Sequence, residues 1–329
     1  MNSINIEFSE KESKKLNSLG LRATYGLTLS KLKKNQSNLA VFTADTSTSA
    51  GLDRFRNKYP ESFFDCGIAE QCMISTAAGY VEEGGIALAS TFAPFLVLRA
   101  AEQVRLSMGY MNLPLILTGL ASGVSLGYLG YTHCCVEDLP LMLNIPNIFV
   151  YIPSDCFELS LVLPHIIKLN RPTYIRLTGA SKIFPLHSNN FNIDFFSPIP
   201  VISKGKKLLI LSSGAISSNV KSALLNLSIS YQERLSFFVL PFIDQEKSPK
   251  AFLNLLKNFE NVLLFDESMY GGTASLISKI ILDNNLSANF FYSTHPNKYV
   301  NCGSYEFMLK QCGLDIQSIS QRIKNILEK

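Results

Sequence analysis

The sequence has no tryptophan, four histidines and a small share of charge. Of its 329 residues, 17% are Asp, Glu, Lys or Arg, whereas 47% are apolar. A low charged fraction indicates that much of the chain is buried in parallel strands or in subunit contacts. The net charge of +4 is small and the lysines are dispersed, so no nucleic-acid footprint is visible. We expect a soluble protein that acts on small molecules and forms an oligomer.

The seven cysteines include no Cys-x-x-Cys pair, and the polar start MNSINIEFSE has no signal-peptide pattern. We therefore expect reduced thiols and a cytoplasmic location. Residues 106–136 contain no Asp, Glu, Lys or Arg. Glycines, a proline and serines interrupt this stretch, which is more typical of a buried strand followed by a loop than of a membrane span. No membrane contact is expected.

Segments typical of strands alternate with segments typical of helices, beginning with a helical segment at residues 11–35. The strand candidates of the first half are LAVFTAD, FFDCG, IALASTF, LPLILTG, NIFVYIPSD and PTYIRLTG. Such alternation predicts parallel strands joined by right-handed crossovers. Residues 183–206, rich in proline and asparagine, break the alternation, and we predict a linker there. Four further strand candidates follow it: KKLLILSSG, LSFFVLPF, NVLLFDE and ANFFYST.

The sequence therefore predicts an α/β fold with two open domains and largely parallel sheets. The first domain is expected at residues 1–182 and the second at residues 207–329. Each domain is long enough to bury a core of its own.

An acid, Glu70, lies at the start of a helical segment, directly after a short strand, in FFDCGIAEQCMISTAAGY. Its small and apolar neighbours predict a desolvated carboxyl group that can share a proton with a ring nitrogen. In an arbitrary helix, a carboxylate that simply favours the N-terminal dipole is the better explanation. The surrounding motifs favour the functional interpretation.

Those motifs resemble the transketolase and deoxyxylulose-phosphate synthase families. GIAEQ is similar to the cofactor-activating motif of these families, and RATYG, TAD, STFAPF, THCCVED, IPSD and YIRL occur in the family's order. The later ESMYGG is similar to their C-terminal domain. Each motif alone is weakly specific, whereas the series spans the whole first domain. The resemblance implies a thiamine diphosphate-binding pyrimidine domain followed by a transketolase C-terminal-like domain.

The resemblance also implies roles around the cofactor. Glu70 would hydrogen-bond the aminopyrimidine, and the cofactor would supply the carbon nucleophile and electron sink. Phe92 and Phe95 match aromatic residues that stack on the pyrimidine, and Leu98 stands where a further aromatic is common. Asp45 matches an acid near the thiazolium, although an acid that ends a strand can equally be a helix cap.

On the substrate side, the resemblance implies contacts from Thr28, Leu129 and His133. His133 would move protons or steady an oxyanion, and with Glu70 it forms the expected catalytic pair. A lone histidine is more often structural, and only the motif THCCVED favours a catalytic role. No metal ligand is expected among the side chains of this chain.

The family's diphosphate-binding domain, with its GDG motif and a downstream Asn, has no counterpart in the sequence. We therefore expect the diphosphate and its Mg²⁺ or Ca²⁺ to be held mainly by a separate transketolase N-terminal subunit. The resemblance implies that the cofactor lies between the two kinds of domain, and we therefore expect a heterotetramer with two chains of each kind.

The substrate loops depart from those of sugar-phosphate transketolases. Tyr128 and Leu129 replace two acids, Thr178 and Gly179 replace Ser-Arg, and Ala121 stands where a phosphate-contacting His is common. The loss of charge-assisted contacts weakens phosphate binding. A modified or nucleotide-linked sugar is therefore favoured over an ordinary pentose phosphate.

The sequence favours transfer of a two-carbon ketol unit from a ketose to an aldehyde, within carbohydrate metabolism. Two alternatives stay open. A decarboxylating relative, similar to deoxyxylulose-phosphate synthase or to the β subunit of a 2-oxo acid dehydrogenase, would consume a 2-oxo acid and release carbon dioxide. A non-catalytic scaffold of the same fold would account for the altered substrate loops, but not for the retention of Glu70 and His133.

Overall fold

The computed structural model describes residues 3–6, 10–179, 185–187 and 191–328. Its strands are β1 (Ser3–Ile6), β2 (Leu39–Thr43), β3 (Phe63–Asp65), β4 (Ile86–Phe92), β5 (Ile116–Ser122), β6 (Phe149–Tyr151), β7 (Thr173–Thr178), β8 (Phe191–Asp194), β9 (Ile199–Ser203), β10 (Leu208–Ser212), β11 (Leu235–Val239), β12 (Phe242–Ile243), β13 (Asn261–Phe265) and β14 (Asn289–Ser293). Its α-helices are α1 (Glu10–Asn17), α2 (Leu21–Leu32), α3 (Asp53–Lys58), α4 (Glu70–Glu82), α5 (Ala101–Val104), α6 (Asp138–Met142), α7 (Cys156–Leu169), α8 (Ile216–Leu225), α9 (Ile229–Gln232), α10 (Ser248–Leu256), α11 (Thr273–Asp283), α12 (Tyr305–Gln311) and α13 (Ile316–Leu327).

The first sheet has the order β12-β6-β7-β5-β4-β2-β3, and its strands are parallel except for the edge strand β12. Every residue of β2, β5 and β7 is buried, which explains their continuous apolar sequences. The chain places β3 on one side of β2 and β4 on the other. Sheets that change direction in this way bind ligands beyond the carboxyl ends of the strands at the point of reversal.

The second sheet has the order β14-β13-β10-β11-β9, and only its edge strand β9 is antiparallel to its neighbour. The predicted α/β fold with two largely parallel sheets is thereby confirmed. The strand candidate LSFFVLPF proves to be two strands in different sheets. Its first part is β11, whereas β12 crosses over and pairs with β6 of the first sheet.

The exact domain boundaries stay a prediction, but the stretch expected to be a linker at residues 183–206 contains two strands. Among its described residues, β8 pairs antiparallel with β1, and β9 joins the second sheet. Pro200 lies in β9, and this is compatible with a strand because proline is tolerated on the edge of a sheet. The high content of proline and asparagine therefore led to the prediction of a linker where two short strands, β8 and β9, are present.

Two helical expectations also differ from the structure. The segment 11–35 forms α1, α2 and a final 3₁₀ turn, and the helices are separated at Gly20, whose φ is 82°. The segment after β4 contains α5 between two π-helical stretches, Phe95–Arg99 and Arg105–Tyr110. In the described part of the chain, no helix is long and apolar enough to cross a membrane.

A fully buried arginine, Arg176 of β7, joins the two halves. Its Nε and Nη2 atoms donate to the two carboxylate oxygens of Asp138, at 2.7 and 3.1 Å. Its Nη1 atom lies 3.6 Å from Asp266, which follows β13 of the second sheet. A buried charge is tolerated when it is paired and hydrogen-bonded. This cluster therefore fixes the loops at the carboxyl ends of the two sheets against each other.

Candidate active site

A tight turn between β3 and α4 positions Glu70. The Oδ1 atom of Asp65, the last residue of β3, accepts hydrogen bonds from the backbone N–H of Gly67 at 3.0 Å and of Asp45 at 2.9 Å. Gly67 has φ of 66°, a left-handed conformation that glycine adopts without a steric penalty. The turn is thus tied to the end of β2, and Glu70 follows it in the first turn of α4.

Glu70 is 3% exposed and is bound by a cation that the sequence analysis missed. The Nη1 atom of Arg99 donates to both carboxylate oxygens of Glu70, each at 2.9 Å. The Arg99 side chain is 49% exposed, and its guanidinium carbon lies 4.4 Å from the centre of the Phe95 ring. The expected desolvation of Glu70 is therefore accompanied by an ion pair. The spacing of four residues between Phe95 and Arg99 signals their contact, because such pairs share a helix face.

Three of the predicted site residues form an aromatic cluster next to this ion pair. The ring centres of Phe92 and Phe95 are 6.1 Å apart, and that of His133 lies 5.6 Å from the first and 5.4 Å from the second. All three pairs meet edge to face, the geometry that aromatic rings prefer. The Nδ1 atom of His133 is hydrogen-bonded to the Thr132 hydroxyl at 3.0 Å. Because Arg99 contacts both Phe95 and Glu70, the cluster and the buried carboxylate are contiguous.

The other predicted site residues lie in less informative places. Asp45 is exposed just after β2 and has φ of 53°. Leu98 is 45% exposed beside Arg99, and Leu129 is 44% exposed in a 3₁₀ turn. Thr28 is buried in α2, where its hydroxyl donates to the Thr24 carbonyl at 2.8 Å, so this hydroxyl is bonded within its own helix.

A cavity of about 470 Å³ opens between the two halves of the chain. It is lined by the altered substrate-loop positions Ala121, Tyr128, Thr178 and Gly179. Arg22 is the one charged side chain among its described lining residues, and its Nη1 atom donates to the Ser49 carbonyl at 3.1 Å. Thr28, Leu129 and His133 are not lining residues of this cavity. Of the altered substrate-loop positions, Leu129 therefore stays outside the cavity although its neighbour Tyr128 lines it.

A buried carboxyl group lies behind one wall of this cavity. Tyr305 lines the cavity, and its hydroxyl donates to the Oε1 atom of Glu267 at 2.6 Å. Glu267 is 1% exposed, and burial raises the pKa of its carboxyl group to about 7. From the sequence, Glu267 could be recognised only as part of the motif ESMYGG. Its hydrogen bond comes from Tyr305, which is 38 residues away in the chain, so no local pattern predicts it.

The side chains around Glu70 are of the kinds that would hold an aminopyrimidine, although Arg99 contacts both the Glu70 carboxylate and the Phe95 ring. A ring nitrogen needs a buried carboxyl group, which Glu70 provides at 3% exposure, and a flat heterocycle needs an apolar wall, which Phe92 and Phe95 provide. In the part of the chain that the structure describes, no group of three or more His, Cys, Asp or Glu side chains is placed to hold a metal ion.

Comparison with known proteins gives the family. Residues 17–181 match the family model described as transketolase, pyrimidine-binding domain. The chain belongs to the transketolase family. Within this family, the chain is a C-terminal transketolase-like subunit of a transketolase-like transferase.

Two relatives match almost the whole chain. The putative transketolase C-terminal section of Methanocaldococcus jannaschii is 29% identical over 311 residues, which cover 94% of this chain and 97% of that protein. An apulose-4-phosphate transketolase subunit of Actinobacillus succinogenes is 29% identical over 290 residues, which cover 87% and 91%. A solved split-gene transketolase, described as an inactive β4 tetramer, has the same fold, with a TM-score of 0.80 at 23% identity over 94% of this chain and 98% of that one.

Proposed function

We propose that this chain is the C-terminal subunit of a split, thiamine diphosphate-dependent transketolase that transfers a two-carbon ketol unit from a ketose donor to an aldehyde acceptor. The observation that carries the proposal is the buried carboxylate of Glu70 beside the cluster of Phe92, Phe95 and His133. When bound, the cofactor supplies the nucleophilic carbon and the electron sink.

The side chains of this chain bind, orient and move protons. Glu70 hydrogen-bonds the ring nitrogen of the aminopyrimidine, because it is the buried carboxyl group next to the aromatic cluster. Phe92 and Phe95 exclude water from that hydrogen bond and fix the plane of the heterocycle. His133 is positioned by Thr132 and moves a proton at the hydroxyl of the donor or steadies the oxygen of its carbonyl group.

The proposed substrate is a modified or nucleotide-linked sugar. The cavity between the halves offers a single cation, Arg22, and otherwise hydroxyl-bearing and apolar side chains among its described residues. One relative is named as a subunit of an apulose-4-phosphate transketolase, and this name supports a sugar other than xylulose or sedoheptulose. If xylulose 5-phosphate or sedoheptulose 7-phosphate proved the donor with the highest kcat/KM, this assignment would be wrong.

The proposed partner is a transketolase N-terminal subunit that holds the diphosphate and its Mg²⁺ or Ca²⁺. The relatives named as a C-terminal section and as a transketolase subunit match this chain nearly end to end, which supports a division of the enzyme between two chains. Two copies of each chain would complete two cofactor sites in a heterotetramer.

The test is calorimetric binding of thiamine diphosphate with Mg²⁺ to this chain alone and to its mixture with an N-terminal-type subunit. We expect saturable binding only in the mixture. Glu70→Ala abolishes ketol transfer, whereas Glu102→Ala, which removes an exposed acid paired with Arg105, leaves it unchanged. Release of carbon dioxide from pyruvate without ketol transfer would support the decarboxylating alternative. A complex that forms but binds no thiamine diphosphate contradicts the proposal.

A further inference from the structure

Arg99 makes the two contacts that the proposed function reserves for the cofactor. Its guanidinium binds both oxygens of Glu70, where the ring nitrogen of the aminopyrimidine would hydrogen-bond. The same guanidinium lies 4.4 Å from the centre of the Phe95 ring, where the heterocycle would find its apolar wall. One planar cation thus covers the carboxylate and the aromatic surface together.

We propose that Arg99 is a displaceable counter-ion, which holds Glu70 as a paired carboxylate in the free chain and leaves when the aminopyrimidine binds. Arg99 is therefore a positioning residue, because it acts through Glu70. This inference rests on the proposed function and deepens it, because it implies that the cofactor must break the ion pair between Arg99 and Glu70 in order to bind.

The exposure of the two partners shows which of them can move. Glu70 is 3% exposed and lies in the first turn of α4, whereas the Arg99 side chain is 49% exposed at the end of a π-helical stretch. The backbone of Arg99 is held in place, because its carbonyl accepts a hydrogen bond from Gln71 at 3.3 Å. The guanidinium can therefore turn into water while the backbone stays where it is.

Displacement has two consequences of opposite sign for a variant that lacks the guanidinium. In the free chain, Arg99→Met leaves the buried carboxylate of Glu70 without its partner, which lowers stability. In the complex, the aminopyrimidine no longer has to break an ion pair, so binding becomes tighter. A residue with only a structural role would lower both stability and affinity.

The experiment measures the Tm of the free chain and the Kd of thiamine diphosphate with Mg²⁺ for the complex with the N-terminal-type subunit. For Arg99→Met we expect a lower Tm and binding that is tighter by about tenfold, the value of one charge-assisted hydrogen bond. Arg105→Met is the matched control, because Arg105 forms an exposed pair with Glu102 in the same segment, and it should change neither quantity. In Glu70→Gln/Arg99→Met, most of the lost Tm returns, because no buried charge is left.

Arg99→Lys keeps the test decisive if Arg99→Met does not fold. Lysine retains the charge but not the planar fork, so its Kd should lie between those of the wild type and Arg99→Met. Unchanged or weaker binding in the arginine variants, with wild-type binding that depends on Glu70, overturns this inference alone. A wild-type complex that binds no thiamine diphosphate overturns the proposed function, and this inference falls with it.

Discussion

Glu267 is buried where the two halves of the molecule meet. Burial raises the pKa of its carboxyl group from 4.5 to about 7, although the hydrogen bond from Tyr305 and the charge of Arg176 act in the opposite direction. Between these two pKa values, the folded chain holds a proton that the unfolded chain has released. Folding is therefore coupled to proton uptake at this residue.

Glu267→Gln should remove a pH dependence of stability. A group with a raised carboxyl pKa contributes no penalty below pH 4.5, and its penalty is complete only above the folded-state pKa of about 7. Between pH 5 and pH 8, the free energy of unfolding of the wild type should therefore fall by up to about 3 kcal/mol more than that of Glu267→Gln. Urea denaturation across this range measures the difference. Glu306→Gln, at an exposed acid of α12, should keep the wild-type slope, and a Glu267→Gln slope equal to it contradicts the assignment.

At the scale of elements, strands that are buried on both faces could be predicted from the sequence, whereas strands at the edges of sheets could not. The strands β2, β5 and β7 are buried on both faces and appear as apolar runs, so the parallel sheet could be predicted. The strands β8, β9 and β12 lie at edges, and their identity depends on distant partners that no local pattern shows. The π-helical stretches around α5 change the backbone hydrogen-bond spacing, which the side-chain periodicity does not report.

The candidate site divides in the same way. Glu70, Phe92, Phe95 and His133 could be predicted because each lies in a local motif, and the structure brings them together. Arg99 could not be assigned to Glu70, because the two are 29 residues apart and meet only after β4 pairs with β2. The pairing of Tyr305 with Glu267 has the same origin, a contact between elements that are far apart in the chain.

Two glycine-to-alanine changes, one in the turn before α4 and one within α4, should have opposite effects on stability. Gly67 has φ of 66°, so Gly67→Ala should lower the free energy of unfolding by about 1 kcal/mol and weaken cofactor binding by disturbing Glu70. Gly79 lies in the interior of α4, and no atom would crowd a methyl group added to it, so Gly79→Ala should raise the free energy of unfolding by about 1 kcal/mol. Urea denaturation of the two variants measures both effects, and a Gly67→Ala protein as stable as Gly79→Ala would refute this account of the turn.

At the scale of the whole molecule, apolar side chains are exposed around the candidate active site. Ile68 is 77% exposed two residues before Glu70, and Leu98 is 45% exposed next to Arg99. Because Glu70 and Arg99 are in contact, these two side chains flank the same place. Contiguous exposed apolar surface marks sites of protein–protein contact. The surface around Ile68 therefore suits contact with the proposed N-terminal subunit.

Ile68→Asp should prevent assembly without unfolding the chain. The side chain is 77% exposed, so the substitution should change the free energy of unfolding by less than about 0.5 kcal/mol, whereas burying a new carboxylate in an interface is strongly unfavourable. Ile229→Asp is the matched control, because Ile229 is 70% exposed in α9 of the second half. Sedimentation of each variant mixed with the N-terminal-type subunit should show the complex for Ile229→Asp and separate chains for Ile68→Asp. If both variants assemble equally well, the two subunits meet through a surface that does not include Ile68. The proposed contact between the N-terminal subunit and the face around Glu70 would then be wrong.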